Sequence, residues 1–336
     1  MSARKRVSIA LATYRGERFL KEQLDSFAAQ SRLPDELVVG DDSPDDATRA
    51  ILEAFAATAP FPVRVISNQP ALGPAANFSA TFARCTGDVI FPSDQDDIWH
   101  PDKIGRMLAF MDEQPRVLVA VHDAALVDAD ARPLGLTMAG QITAAGDNPA
   151  LGLVAGCCMA FDGRLARLYD PVPDADTHDA WLTSIADDLG IRGWLPEPLI
   201  HYRRHGSNVS QSYMSEPGAA TRGAHLRERV ATAWRRPVAA ALNAAARAQE
   251  AALDALQHNA SWLRPLAGCD RFDEAIRRRG TELDLTRRRL GIHQAGRAKG
   301  LCLILRAVAS GAYRGQAGVL SFLRDLHGLA RGGKTS

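Results

Sequence analysis

The sequence predicts an α/β protein: a mostly parallel sheet flanked by helices, followed by a helical C-terminal extension. Three observations lead there. Strand-like and helix-like hydrophobic patterns alternate over residues 6–122 and are joined by short links. Polar clusters follow three of the strand-like runs, at Thr13-Tyr14, Asp41-Asp42 and Asp94 to Asp97. The charge balance then changes sign. Residues 1–210 hold 19 Lys/Arg against 29 Asp/Glu, and residues 211–336 hold 21 against 10. Two units with different partners are therefore expected, an acidic one over residues 1–213 and a basic helical one over 220–332.

The elements follow in order. Val7, Ile9 and Leu11 alternate as a strand does, and Leu20, Leu24 and Phe27 repeat at helical spacing. Leu37 to Val39 is a second strand, a helix fits 45–57, and Val63 to Ile66 is a third strand. A helix over 75–85 leads to a strand from Asp88 to Phe91 that ends in Asp94-Gln95-Asp96-Asp97. Pro101 can open the next helix, on which Ile104, Leu108 and Met111 share a face, and Val117 to Val121 is a fifth strand. Residues 153–161 read as a buried strand, 178–189 as a helix, and Leu199 to Arg203 as a last strand. Gly206 to Gly218 suits a linker, after which Ala and Arg dominate and helix formers prevail.

Composition narrows the class. The chain has 336 residues, 46% hydrophobic and 24% charged, as in an ordinary globular protein. Its five Cys residues include no C-x-x-C pair, so neither a disulfide framework nor a zinc site is expected. Arg4 to Arg6 precede an apolar run too short for a secretory signal, and no run is long enough to span a bilayer. The expectation is a cytoplasmic chain with reduced thiols, and the basic end suggests a peripheral position on the inner face of the plasma membrane.

The Asp94–Asp97 cluster carries the chemistry. Like charges so close together repel, and a divalent cation such as Mg2+ or Mn2+ relieves them while bridging to substrate phosphates. The plain alternative is a solvated acidic turn that opens a helix.

The stretch Phe91-Pro-Ser-Asp94-Gln-Asp96-Asp97-Ile-Trp-His-Pro101-Asp-Lys103-Ile resembles the D-x-D region of family 2 glycosyltransferases, which have the GT-A fold. Val7 to Tyr14 resembles their opening strand and nucleotide turn, and Val38 to Ser43 their second strand with its aspartate pair. Gly156 to Met159, His178-Asp179-Ala-Trp181 and Glu197 to Asn208 resemble the acceptor-side strand, the catalytic segment and the closing Y-R-x-H-G-x-N motif. The resemblance covers residues 6 to about 213 and is closest to bacterial polysaccharide members, many of them rhamnosyltransferases.

It implies a role for each matching residue. Ala12, Thr13, Tyr14, Glu17, Asp41, Asn77 and Asp94 would bind the nucleotide, with Tyr14 stacking near a uracil or thymine and Asp41 accepting its imide N–H. Asp96, Asp97 and His205 would hold the metal. Asp179 would be the base of an inverting transfer, with Arg203, Gly156, Cys157, His178 and Trp181 along the diphosphate and acceptor. The implied donor is dTDP-rhamnose or a UDP-sugar, and the implied acceptor is a saccharide, lipid-linked. Three departures stand out: Arg15 where Asn is common, Gly40 where an aliphatic residue is usual, and a shorter Asp41–Pro44 turn lacking its glycine.

Two rival classes are a sugar-1-phosphate nucleotidyltransferase and a non-catalytic nucleotide-sugar-binding or membrane-adaptor protein. The first wants a Gly-rich basic triphosphate loop near residue 15, where the sequence offers Arg15-Gly16 and Arg18. Gly328 to Thr335 matches the P-loop pattern but lacks the helix that a phosphate cradle needs. The basic tail interleaves Arg with Leu301, Leu303, Ile304, Leu320, Phe322 and Leu323. It reads either as a packed helical cap or as a surface on anionic lipid, and no nucleic-acid module is present.

Overall fold

The computed structural model describes residues 4–170, 177–206, 221–235, 237–309, 313 and 318–330. Contacts divide the chain into Met1–His225 and Leu226–Ser336. The first unit holds one sheet of strands β1 (Val7–Thr13), β2 (Glu36–Asp41), β3 (Val63–Ser67), β4 (Val89–Ser93), β5 (Ile98–Trp99), β6 (Val119–Val127), β7 (Pro133–Thr137), β8 (Met159–Asp162) and β9 (Arg192–Arg203). Their order is β3-β2-β1-β4-β8-β6-β9-β5, with β7 paired to β6.

The fold class stands, and the sheet is mixed rather than parallel throughout. β3, β2, β1 and β4 run parallel. β8 then enters antiparallel between β4 and β6. Its pairing with β4 ends at Ile90, and Pro92, which has no N–H to donate, follows. In the parallel half Thr13 pairs with Asp41 and Leu11 with Ser93, so the three strands end at one edge. The three polar clusters therefore share an edge, as expected for ligand sites in such sheets.

Helices α1 (Leu20–Ala28), α2 (Ala47–Ala56), α3 (Pro74–Phe82) and α4 (Lys103–Glu113) link the early strands, close to their expected positions. Two short helices, α5 (Met138–Ala145) and α6 (Pro149–Gly152), lie before β8, and α7 spans His178–Leu189. Thr177 caps α7 by accepting the Ala180 N–H. The last strand is longer than the pattern implied. β9 leaves register with β6 between Leu195 and Pro198, where two prolines flank Glu197 and hide the alternation. The core packs on both faces of the sheet and includes Ile9, Leu11, Leu24, Phe27, Val39, Phe82, Phe91 and Phe161.

Gly40 sits in the middle of this core for a steric reason. A Cβ there would lie 2.0 Å from Asn77 Oδ1 and 2.3 Å from Thr81 Oγ1. Asn77 donates through Nδ2 to Gly40 O at 2.9 Å and accepts from Asn68 Nδ2 at 3.1 Å. The amide of Asn77 occupies the room an aliphatic side chain would take.

The helical unit is built from α8 (Arg222–Arg235, which crosses the unit boundary), α9 (Val238–His258), α10 (Ala260–Ala267), α11 (Cys269–Gln294), α12 (Arg297–Ala309) and α13 (Gly318–Ala330). Asp325 is fully buried within it. Its carboxylate accepts from Arg289 at 2.7 and 3.0 Å and from Tyr313 Oη at 2.8 Å, and His293 Nε2 lies 3.1 Å away. A buried carboxylate so fully partnered locks α11, α13 and Tyr313 together.

Gly40→Ala should cost about 1–3 kcal/mol through overpacking. The same change in an Asn77→Ala background should cost less, because the methyl enters space the amide has left. Urea midpoints of the four proteins measure the coupling, and equal costs in both backgrounds would contradict the packing account.

Candidate functional site

The site assembles at the shared strand edge, and Gln95 does much of the assembling. Its Oε1 accepts the Tyr14 N–H at 2.9 Å, and its Nε2 donates to Tyr14 O at 3.0 Å. This one amide clamps the loop after β1 to the acidic turn after β4. Gly16 allows it, since a Cβ there would lie 2.5 Å from Gln95 Oε1. The Tyr14 ring is left 52% exposed, with the Arg15 guanidinium 5.4 Å from its centroid. Arg15 has φ 51°, a left-handed conformation that Asn adopts more readily than Arg. Here the Arg15 N–H is held by Ser43 Oγ at 2.9 Å.

The second turn is equally tied. Asp41 Oδ1 accepts from Thr13 Oγ1 at 2.8 Å, from Ser43 N at 3.1 Å and from Ser43 Oγ at 2.7 Å. Asp42 is buried too and accepts from Asn68 Nδ2 and the Gly73 N–H. Glu17 accepts from Thr48 Oγ1, which in turn accepts the Gly16 N–H. Ala12 lies within β1, opposite Gly40.

The acidic turn meets the end of β9. Asp96 Oδ2 lies 2.8 Å from His205 Nε2, so a carboxylate and an imidazole meet at hydrogen-bond distance. Asp97 is buried: its Oδ1 accepts the Arg203 N–H at 3.1 Å, and its Oδ2 has no hydrogen-bond partner. Burial and the Asp96 and Asp94 charges push the Asp97 carboxyl well above its ordinary value. Burial, then Asp96 and Asp179, push Asp94 up to about 7. Asp94, Asp97 and the Cys157 thiol offer ligand atoms within 4.8 Å of one another.

The crowding of Asp94 to Asp97 suggested unrelieved repulsion, and the structure adds a buried cation beside it. Lys103 is completely buried, donates to Cys157 O at 2.6 Å and sits 3.7 Å from the Trp99 ring centroid. Burial lowers its ammonium to about 8, opposed by the two cysteines, Asp97 and Asp94. Part of the compensation is therefore built in. The signal was present: Lys103 lies on the apolar face of α4 with Met107 and Phe110.

Asp179 lies at the first turn of α7. Its Oδ2 accepts the Gly156 N–H at 3.0 Å and its Oδ1 the Ala180 N–H at 2.7 Å. Gly156 makes this possible, because a Cβ there would lie 2.3 Å from His178 Nε2. The His178 ring stacks on Phe78 with centroids 3.8 Å apart, and burial lowers it to about 4 against the pull of Asp179.

Three expected ligands are reassigned. Arg203 is 1% exposed and spends its guanidinium inside the fold, on Asp96 O, Ala129 O and Glu22 Oε2, over the Phe19 ring. It clamps the site and is not held out toward a diphosphate. Asn77 is buried behind β2, as described. Trp181 is a core residue whose Nε1 donates to Leu168 O at 3.0 Å.

With this geometry in place, the family model described as Glycosyl transferase family 2 matches residues 8–167. Residues 8–167 are thus similar to a family 2 glycosyltransferase domain. The match ends before Asp179, Arg203 and His205. An uncharacterized protein of Mycobacterium tuberculosis is 27% identical over 215 residues, 61% of each chain, so the chain spans about three-fifths of that relative. The dTDP-rhamnosyl transferase RfbG of Shigella flexneri is 35% identical over 101 residues, 28% of this chain and 34% of that one. The crystal structure of S. aureus TarS 1-349 in complex with UDP matches with a TM-score of 0.50 and 16% identity, covering 98% of this chain and 93% of that chain. That likeness is one of fold, the GT-A type expected of the glycosyltransferase domain.

His178 gives the domain an acid limit. The unfolded chain takes up this proton near pH 6.5, whereas the folded chain takes it up only near pH 4. Between those values the unfolded state binds more protons, so stability falls as pH falls, by at most about 1.4 kcal/mol per pH unit from this group. His178→Phe, which keeps the stack on Phe78, should lose stability less steeply from pH 6.5 to 4 than the wild type does. Parallel pH profiles would refute the assignment.

Proposed function

We propose that the chain is an inverting glycosyltransferase that moves a sugar from a nucleotide-sugar to a saccharide acceptor in bacterial surface polysaccharide synthesis. The observation that carries this reading is the Gln95 clamp. It holds the loop of the exposed Tyr14 ring, whose Arg15 N–H is bound by Ser43 of the Asp41 turn, to the same acidic turn whose Asp94 feels Asp179. Residues far apart in sequence thus form a nucleotide end and an acceptor end around one carboxylate group.

In this reading Tyr14 supports the base, and Asp41, anchored through Oδ1 by Thr13 and Ser43, accepts the imide N–H of a uracil or thymine. The similarity to RfbG supports dTDP-rhamnose as donor, with UDP-sugars as the neighbouring choice. Asp96 and His205 suit a hard divalent cation, Mg2+ or Mn2+, since they bring an oxygen and a nitrogen ligand together beside crowded carboxylates. When bound, such a cation neutralises the charge of the departing diphosphate. Asp94 faces the same charge, and Asp97 orients the turn through Arg203 N.

Asp179 is the base. It takes the proton from an acceptor hydroxyl as that oxygen bonds to the anomeric carbon. The bond from that carbon to the diphosphate oxygen breaks on the opposite face, and the configuration inverts. The Gly156 and Ala180 N–H groups hold the carboxylate for this task. No helix among the described residues is long and apolar enough to cross a membrane. A lipid-linked acceptor would therefore be met at a membrane surface.

Two experiments test the reading. Asp179→Asn should lower transfer by about 10²- to 10⁴-fold while nucleotide affinity by calorimetry stays unchanged. Undiminished turnover would remove Asp179 from the mechanism. In a thermal-shift panel, dTDP- and UDP-sugars with Mn2+ or Mg2+ should raise the melting temperature more than GDP-sugars, by an amount near 2.7 kcal/mol of stability at about a hundredfold excess over Kd. Asp96→Asn should shrink the metal-dependent part of that shift. No shift with any nucleotide in either metal would end the donor-site assignment.

A further inference from the structure

Helices α12 and α13 carry more apolar surface than their packing uses. One side of α12 faces inward: Ile304 and Ala307 are buried with Ile292, and Leu303, Tyr313, Phe322 and Leu329 pack against them. A Cβ at Gly300 would sit 2.5 Å from Leu329 Cδ1, so the two helices meet closely there. The other side of a surface helix is normally polar. Here it carries Leu301, Leu305 and Val308, which are 48%, 63% and 49% exposed. α13 adds Leu323 and Leu326, at 46% and 39%.

The charge on these helices is one-sided. Between Asp284 and Asp325 the sequence holds eight Lys/Arg and no acidic residue, and none follows Asp325. Asp325 itself is fully buried and taken up by Arg289, Tyr313 and His293. Lys299 and Arg306 are exposed beside the leucines and meet no carboxylate among the described residues. Among the described residues this face therefore offers solvent mainly aliphatic side chains and cations, with Cys302 between them.

We propose that the α12–α13 face docks this chain on an anionic lipid bilayer. Leu301, Leu305 and Val308 enter the boundary between headgroups and acyl chains, and Lys299 and Arg306 meet the lipid phosphates. A second copy of the same face fits poorly, since it brings cations against cations with no carboxylate to answer them. A nucleic acid would answer the cations but leave the exposed aliphatics without a partner. The proposal does not depend on the role of Asp179, because adhesion to a bilayer needs no turnover.

Cosedimentation of the full chain with vesicles tests it. The chain should pellet with phosphatidylcholine vesicles containing phosphatidylglycerol, much less with phosphatidylcholine alone, and less as salt rises. Leu305→Asp, or the milder Leu301→Gln, should weaken partitioning about tenfold or more. Joint Lys299→Gln and Arg306→Gln substitution should weaken it roughly thirtyfold at low salt. All these variants should keep the wild-type melting temperature and its nucleotide-induced shift. The proposal fails if wild type and variants pellet equally, or if the wild type ignores anionic vesicles. It also fails if Leu305→Asp instead dissolves a dimer or abolishes duplex DNA binding.

Discussion

Crowded negative charge beyond β4 is the constraint around which the first unit is built. Asp94, Asp96 and Asp97 occupy one turn, and two of them are pushed far above the ordinary carboxylate range by burial and by each other. Such a turn survives because its surroundings are arranged to hold it. Lys103 brings a buried ammonium to its underside, Arg203 gives a backbone N–H to Asp97, and His205 meets Asp96. The same Lys103 binds Cys157 O, next to the Gly156 N–H that holds Asp179. The acidic turn and the carboxylate on α7 are thus joined through one short turn of backbone.

Close approach at glycine recurs wherever two of these pieces meet. Gly16 admits Gln95, Gly40 admits Asn77, and Gly156 admits His178. In each case a polar side chain from a distant segment fills the space that a Cβ would take. The unusual glycine at position 40 and the left-handed Arg15 therefore reflect local packing and backbone conformation. They lie behind or beside the turn after β1, and they alter its support more than its exposed surface.

The helical unit follows a different rule. Its last two helices withdraw their acidic residue, Asp325, into a fully satisfied interior and leave cations and leucines outside. Burying a charge is costly unless every lone pair finds a donor, and Arg289, His293 and Tyr313 supply that condition here. A helix that is apolar on two sides has one side for its neighbours and one for a partner.

Much of this was legible in the residues alone. Val7, Ile9 and Leu11, the Leu37 to Val39 run and the helix at 178–189 announce themselves by period, because buried faces repeat at the spacing of their backbone. The polar clusters at the strand ends were legible too, since parallel strands end together. Other features were settled only by the tertiary fold. β5 has two residues and no period to read, and the prolines of β9 mask its length. Arg203, Asn77 and Trp181 looked like ligands, yet each turns inward, and Lys103 turns out to lie buried beside the carboxylates. Sequence determines which groups are charged or apolar and how they repeat along one element. Which of them face each other, and so which charge is compensated, depends on the packing of segments that lie more than a hundred residues apart in the chain.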